Sequence, residues 1–341
     1  MKPLFCFFLA LLGTVTIVQV AGLNMKPVIG ILSFPSQFEQ YDSTKWNYIS
    51  LSAVKFIEAG GARVVPVQWD LPIDNLTSLI NSLNGLYIPS SKADLLFTEK
   101  SVAHLAFRQA LENILDIVSR MINQAIIFPI LGTGTGFQAL VCAFASQERG
   151  DYACLSEHEG FEGAKKNLSL TAIAKKTGML DTSLLPGIET ALQEKEIAYF
   201  DTRYLIDDDL WYSTTNLLNN FAVVAYVNDT TIPAVIIGKR YRIYATASPV
   251  ELYQYEWSTE GAIPHNYEAV LSAQMYSTYF VEQSRYNDNN FDELGVDVDP
   301  MAFREMVPVD VKDTSTSKVY LFKGLGTKAE SENTENNGNE L

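Results

Sequence analysis

The stretch of this 341-residue chain with the most chemical content is Ala125–Ala139, AIIFPILGTGTGFQA. An apolar run from Ala125 to Leu131 leads into glycines at alternate positions, Gly132, Gly134 and Gly136. A helix-compatible apolar run then starts at Phe137. A strand, a tight glycine turn and a helix are the parts of a nucleophile elbow. In such a turn one strained, exposed side chain sits at the apex, beside the backbone N–H groups of a helix N-terminus. Here the apex is Gly134, which has no side chain. Thr133 and Thr135 flank the apex rather than occupy it, and threonine serves as a nucleophile chiefly when a base such as an N-terminal amine activates it. The other reading of the same residues is a strand-to-helix turn that uses glycine for geometry alone. The histidines, His104, His158 and His265, are unpaired at metal-ligand spacing, and no Cys-x-x-Cys occurs. No Lys-Ser/Thr follows the glycines, as a phosphate-binding loop would need. No metal and no cofactor is expected.

The elements that would position this turn alternate in type. Val28–Leu32 reads as a short apolar strand. Lys45–Ala59 carries apolar residues at Trp46, Ile49, Ala53, Phe56 and Ile57, a helical spacing closed by Gly60-Gly61. Arg63–Val67 reads as a strand, Leu71–Leu83 as a helix, Gly85–Ile88 as a strand, Glu99–Asn123 as a long amphipathic helix and Ala125–Leu131 as the strand into the elbow. Short apolar strands alternating with helices predict an α/β fold, with a mostly parallel sheet covered on both faces.

Pro129-Ile130-Leu131-Gly132-Thr133-Gly134-Thr135-Gly136-Phe137 resembles the elbow of the γ-glutamyl hydrolases, members of the class I glutamine amidotransferase-like superfamily, whose pattern is roughly Pro-x-x-Gly-Thr-Cys-x-Gly-Phe. The resemblance extends over about Pro27 to Phe322. It takes in Tyr48-Ile49 to Val54-Lys55, Glu58 to Val67, Asn84-Gly85-Leu86 with Pro89, Tyr244, Tyr255-Glu256-Trp257, and Met306–Phe322 as the last strands. It implies a three-layer α/β/α domain with a flavodoxin-like core over residues 25–322. It also implies a cysteine hydrolase of γ-glutamyl amide bonds. Such an enzyme needs a thiolate, a histidine that takes and returns its proton, and N–H groups for the oxyanion. At the implied positions the chain departs from the pattern. The nucleophile falls on Gly134. Counting back from Tyr255-Glu256-Trp257, the His-Pro-Glu motif falls on Pro249-Val250-Glu251, so proline replaces histidine and Glu251 alone remains. A shift by one residue aligns Ser248-Pro249 and still supplies no histidine. The glycines of the oxyanion loop are Ser90-Ser91, and the position after Phe200, where the family has a substrate-holding histidine, is Asp201. The departures fall on functional positions inside a kept scaffold, which points to a fold retained after its chemistry was removed. The degenerate cleft, with Ser90, Ser91 and Thr135 at its wall, would take a glutamylated small molecule or a protein. The competing readings are an active folylpoly-γ-glutamate hydrolase that recruits other residues and a structural or storage glycoprotein.

Composition adds bounds. The chain is 47% hydrophobic, enough for a large core, and its net charge of −15 argues against a nucleic-acid binder. Met1–Gly22 has the layout of a secretory signal peptide, with cleavage expected over retention as an anchor. No later stretch is apolar enough to cross a membrane. Three sequons, at Asn75, Asn167 and Asn228, suit the same route to the outside or to a lysosome-like vacuole. Cys142 and Cys154 admit one disulfide, but two buried free thiols are the expected state. Residues 323–341, rich in Glu, Asn, Gly and Ser, read as a disordered acidic tail. A homodimer is compatible with the sequence, which does not determine the oligomeric state.

Overall fold

The structure is a computed structural model that describes residues 23–91, 102–149, 154–180, 187–206, 208–257, 262–291, 303, 306–311 and 316–324. The expected leader at 1–22 and all but the start of the expected tail at 323–341 lie outside the described residues.

In chain order the first half runs β1 (Val28–Leu32), β2 (Phe34–Pro35), β3 (Trp46–Ser50), α1 (Leu51–Ala59), β4 (Arg63–Val67), α2 (Ile73–Ser82), β5 (Gly85–Ile88), α3 (Val102–Asn123), β6 (Ile130–Thr133) and α4 (Thr135–Arg149). Then come β7 (Ser156–Glu157), β8 (Ala164–Lys166), β9 (Leu168–Leu170), α5 (Ile188–Glu194), β10 (Ala198–Phe200), β11 (Tyr204–Leu205), α6 (Asp208–Ser213), α7 (Thr215–Asn220), β12 (Phe221–Val227), β13 (Pro233–Gly238) and β14 (Ile243–Thr246). The chain closes with α8 (Leu252–Tyr255), α9 (Tyr267–Ser284), β15 (Val309–Asp310) and β16 (Lys318–Lys323).

Among the described residues the main sheet has eight strands in the order β4-β1-β5-β6-β14-β13-β12-β9. The five strands from β4 to β14 are parallel, and β13, β12 and β9 continue the sheet antiparallel. Helices α2, α3, α4 and α7 pack in one layer, and α1, α8, α9 and α5 in the other. The expected three-layer α/β/α architecture with a mostly parallel sheet is therefore present. Strands β1, β5, β6 and β14 are buried along their whole length, because helices cover both of their faces. Full burial of such Ile, Leu and Val side chains stabilises the fold by about 1.5–3 kcal/mol each.

Local chemistry decides the boundaries. The helix expected over Lys45–Ala59 is a strand up to Ser50 and a helix after it. Ser50 caps α1 by accepting from the Ala53 N–H at 3.2 Å, while β3 pairs with β16 in a second sheet of four strands. The strand expected over Ala125–Leu131 begins only at Ile130: Ala125 takes a left-handed φ of 64°, and residues 126–129 carry no regular structure. In the polar run after α9, buried Asn287 and half-buried Asn289 clamp the chain to the start of β5. Asn84 donates to the Asn287 side chain at 2.9 Å and to the Asn289 carbonyl at 2.8 Å, and Asn289 donates to the Leu83 carbonyl at 2.8 Å. Lys323, the first residue of the expected tail, is the last residue of β16.

The expectation of free thiols is corrected: Cys142 on α4 and Cys154 form a disulfide, with Cα atoms 5.4 Å apart. Both residues are buried in the core, so hydrophobic burial and cross-linking act at the same place. Closing a loop of this length removes conformational entropy from the unfolded chain worth about 3 kcal/mol. Replacing both cysteines with alanine should therefore shift the urea unfolding midpoint downward by the equivalent of ~3 kcal/mol.

Candidate functional site

Strands β5, β6 and β14 end side by side, and the loops that leave them meet above the sheet. This is the edge at which parallel α/β folds place their ligands. The turn from β6 into α4 is held by the Gly134 N–H, which donates to the Thr246 carbonyl at the end of β14 at 2.9 Å. Gly134 adopts φ +50°, the strained apex conformation of an elbow. Gly136 has no room for any side chain, because an added Cβ would fall on the Ile88 carbonyl, with the carbonyl carbon at 2.7 Å.

The space in which a side chain at Gly134 would project is filled. An added Cβ would collide with the Ser90 Oγ, lie 2.8 Å from the Ser90 Cβ and touch the Pro249 Cβ at 3.4 Å. The three sequence positions thus converge on one point in the fold. Residues 90, 134 and 249 come from the loops after β5, β6 and β14, and in this chain they present a hydroxymethyl, a hydrogen and a pyrrolidine ring.

The loop after β5 is fastened by its own donors. The Ser90 N–H donates to Glu251 Oε1 at 2.7 Å. The Ser91 N–H donates to Thr135 Oγ1 at 3.1 Å, and the Thr135 hydroxyl donates back to the Ser91 carbonyl. The Ser91 hydroxyl pairs with the Tyr48 hydroxyl at 2.6 Å. Backbone N–H groups in this loop are the type that would stabilise an oxyanion, and here both are directed to internal acceptors. The flanking threonines are also engaged. Thr133 is fully buried with its hydroxyl 2.9 Å from that of Tyr87.

Glu251 is completely buried. Burial pushes its carboxyl up to about 7, against the lowering effect of the Ser90 N–H and the nearby Thr133 and Tyr87 hydroxyls. Its Oε2 is buried and has no hydrogen-bond partner of ordinary geometry. The same burial, with the Glu251 charge adding to it, raises the Tyr87 phenol well above its usual range. No imidazole accompanies the carboxylate. His265 has its Nδ1 2.8 Å from the Tyr253 carbonyl and stacks on the exposed Trp257 at 3.9 Å, while His158 packs edge-on to Phe161 at 6.0 Å. His104 lies on α3.

Asp201 follows β10 and accepts from the Tyr199 hydroxyl at 3.0 Å. Its segment is tied to the site from two sides. Gln138 in the first turn of α4 donates to the Tyr204 carbonyl at 2.7 Å, and the Tyr199 N–H donates to the hydroxyl of Tyr253 on α8 at 2.7 Å. Among the described residues no group of His, Cys, Asp and Glu is arranged to hold a metal ion. The sequons lie elsewhere. Asn75 is exposed in the first turn of α2, whereas Asn167 and Asn228 adjoin across the β9–β12 pairing, with the Asn228 N–H donating to the Asn167 carbonyl at 2.9 Å. Sequence reasoning identified Gly134, Pro249 and Glu251 but not the filling role of Ser90, since a serine for a glycine reads only as lost turn freedom. It missed Tyr87 and Tyr48 altogether, which look like ordinary core aromatics in a strand and helix pattern.

Gly134→Cys alone should destabilise the protein by about 2–5 kcal/mol, the sum of a non-glycine residue in the left-handed region and an overpacked contact with Ser90. Ser90→Gly in the same chain should recover the overpacking share, about 1–3 kcal/mol, and a double-mutant cycle of urea midpoints measures that coupling.

The family model described as Peptidase C26 matches residues 27–245. Gamma-glutamyl hydrolase B of Dictyostelium discoideum is 26% identical over 328 residues, covering 94% of this chain and 90% of its own. Gamma-glutamyl hydrolase of Glycine max is 26% identical over 277 residues, covering 80% of this chain and 77% of its own. Among solved structures, the glutaminase domain of Trypanosoma brucei CTPS with bound acivicin aligns with a TM-score of 0.47 at 12% identity, over 77% of this chain and 95% of that one. The family match takes in more than half of the chain, including the elbow and the Ser90-Ser91 loop, and the chain belongs to the Peptidase C26 family.

Proposed function

We propose that this chain is a γ-glutamyl hydrolase homologue that no longer hydrolyses amide bonds and keeps the fold as a binding protein. One observation carries the reading: the volume of a nucleophile side chain at Gly134 is occupied by Ser90 and walled by Pro249. A thiolate route needs a thiol, an adjacent base and free oxyanion donors. Gly134 offers no thiol, Pro249 offers no base, and the Ser90 and Ser91 N–H groups are spent on Glu251 and Thr135. Thr133 and Thr135 are poor substitutes, because both hydroxyls are bonded within the fold and Thr133 is fully buried.

The relatives are named as hydrolases, so the direct test is glutamate release from a poly-γ-glutamyl chain by the unmodified protein, purified free of active homologues. No turnover is expected. Turnover near 1 s⁻¹ or above, in the ordinary enzyme range, would show that another nucleophile carries the reaction. Restoring one residue should not rescue activity, because members of such a unit act together. Gly134→Cys, Pro249→His and Ser90→Gly combined form the smallest set that supplies thiol, base and space. The candidate ligand is a glutamylated small molecule or a protein segment, and ligand-dependent thermal stabilisation separates a binding protein from a storage glycoprotein.

The secretory pathway, ending outside the cell or in a lysosome-like vacuole, is the proposed location. The Cys142–Cys154 disulfide supports it, since disulfides persist in oxidising compartments, and so does the exposed position of Asn75 in its sequon. Glycopeptide mass spectrometry of the native protein should find an N-glycan on one or more of Asn75, Asn167 and Asn228. Finding all three unmodified would contradict this location.

A further inference from the structure

Two of the sequons meet in the fold. Among the described residues β9 is the outermost strand at its end of the main sheet, and it pairs antiparallel with β12, Leu168 facing Val227 and Ser169 facing Tyr226. One step further along, the Asn228 N–H donates to the Asn167 carbonyl at 2.9 Å, so the two sequon asparagines stand opposite each other. Opposed side chains share one face of a sheet, with Cβ atoms about 4.5–5.5 Å apart. Leu168 and Val227 turn to the other face and are buried. Asn167, Ser169, Tyr226 and Asn228 share the half-buried face. Two glycans rooted at opposed positions would compete for one space.

The two side chains are held differently. Asn228 is engaged at both ends of its amide: the Ser169 hydroxyl donates to its Oδ1 at 2.7 Å, and its Nδ2 donates to Asp229 Oδ2 at 2.9 Å. The hydroxyl of its sequon, on Thr230, donates to the Val227 carbonyl at 2.8 Å. The whole sequon belongs to the turn between β12 and β13, which the Val227 N–H closes on the Ile232 carbonyl at 3.0 Å. Such a hairpin closes within its own segment, in about 1–10 μs. Asn167 is the opposite case. Its Oδ1 is buried without a hydrogen-bond partner, and its Nδ2, the atom that a glycan is joined to, makes no hydrogen bond. With the oxygen inside, the nitrogen is directed outward, the orientation that a glycosylated asparagine requires. The Asn167 sequon is closed by β12, about 60 residues later in the chain. At about 5–20 residues per second of synthesis it stays open for several seconds.

We infer that Asn167 is the glycosylated member of this pair and that Asn228 stays unmodified as the hydrogen-bond partner of Ser169. The inference rests on the secretory location proposed above and goes beyond it by assigning the sites. The bond formed joins Asn167 Nδ2 to the anomeric carbon of an oligosaccharide. The bond broken is that carbon's link to the diphosphate of a lipid-linked donor, and the amide proton passes to the medium as the lipid diphosphate departs.

The test is site-resolved occupancy of the native, full-length protein. Its glycopeptides are deglycosylated in heavy-oxygen water, which marks each formerly glycosylated asparagine, and mapped by mass. Asn167 should be marked and Asn228 should not. Asn167 bare, or Asn228 marked, would overturn the assignment, and a glycan on Asn228 or on the exposed Asn75 would still uphold the location. With all three bare, the location falls as well. In intact mass, Asn167→Gln should lose one glycan and Asn228→Gln none. Loss of a glycan from Asn228→Gln would overturn the assignment, and the wild-type map decides it if either variant does not fold.

Discussion

The site rests on a backbone-to-backbone approach. The first turn of α4 passes so close to the end of β5 that the Ile88 carbonyl occupies the place of a side chain at Gly136. An added Cβ at Gly132 would in turn lie 2.7 Å from the Gly136 carbonyl oxygen. Two of the three alternate glycines are thus required by the crossing of strand and helix, whatever chemistry stands above it. That crossing delivers the loop after β5 directly over the apex at Gly134. Parallel pairing of β6 with β14 brings the loop containing Pro249 to the same point.

On this frame the side-chain volume stands on the facing loop and not at the apex. An elbow with a nucleophile needs bulk at the apex and a loop opposite that is bare enough to leave a cleft. This chain has the reverse arrangement, with a bare apex and a hydroxymethyl group on the facing loop. The Ser90 side chain fills the space above the bare apex, and a void of that size in a packed interior would weaken the fold. The Ser90 N–H gives Glu251 Oε1 a donor, while burial raises the proton affinity of that carboxyl.

Much of this was legible in the residues. Alternating apolar runs marked β1, β4, β5 and their helices closely, because buried parallel strands are short and apolar and their helices end at glycines such as Gly60-Gly61. The failures have physical causes. Trp46–Ser50 carries a helical spacing but is drawn into a strand by pairing with β16, some 270 residues away in sequence, which no local pattern records. Ala125–Pro129 is apolar but precedes the sheet: Ala125 is exposed, Ile126 and Ile127 are half-buried, and only Phe128 and Pro129 enter the core. Cys142 and Cys154 read as small hydrophobes, and only the folded path of α4 shows that their backbones approach to 5.4 Å. That positions 134 and 249 carry Gly134 and Pro249 was readable position by position. That Ser90 occupies the missing volume was not, since it depends on three loops meeting in space.

The account turns on whether any group at this apex can attack an electrophile. The direct measurement is the intact mass and peptide map of the native protein after incubation with an electrophilic glutamine analogue, the class of reagent that captures an elbow nucleophile. The account predicts an unchanged mass and an unmodified peptide spanning the turn. A covalent adduct on Ser90, Thr133 or Thr135 would contradict it, because a reactive oxygen would then stand where the structure shows only filling.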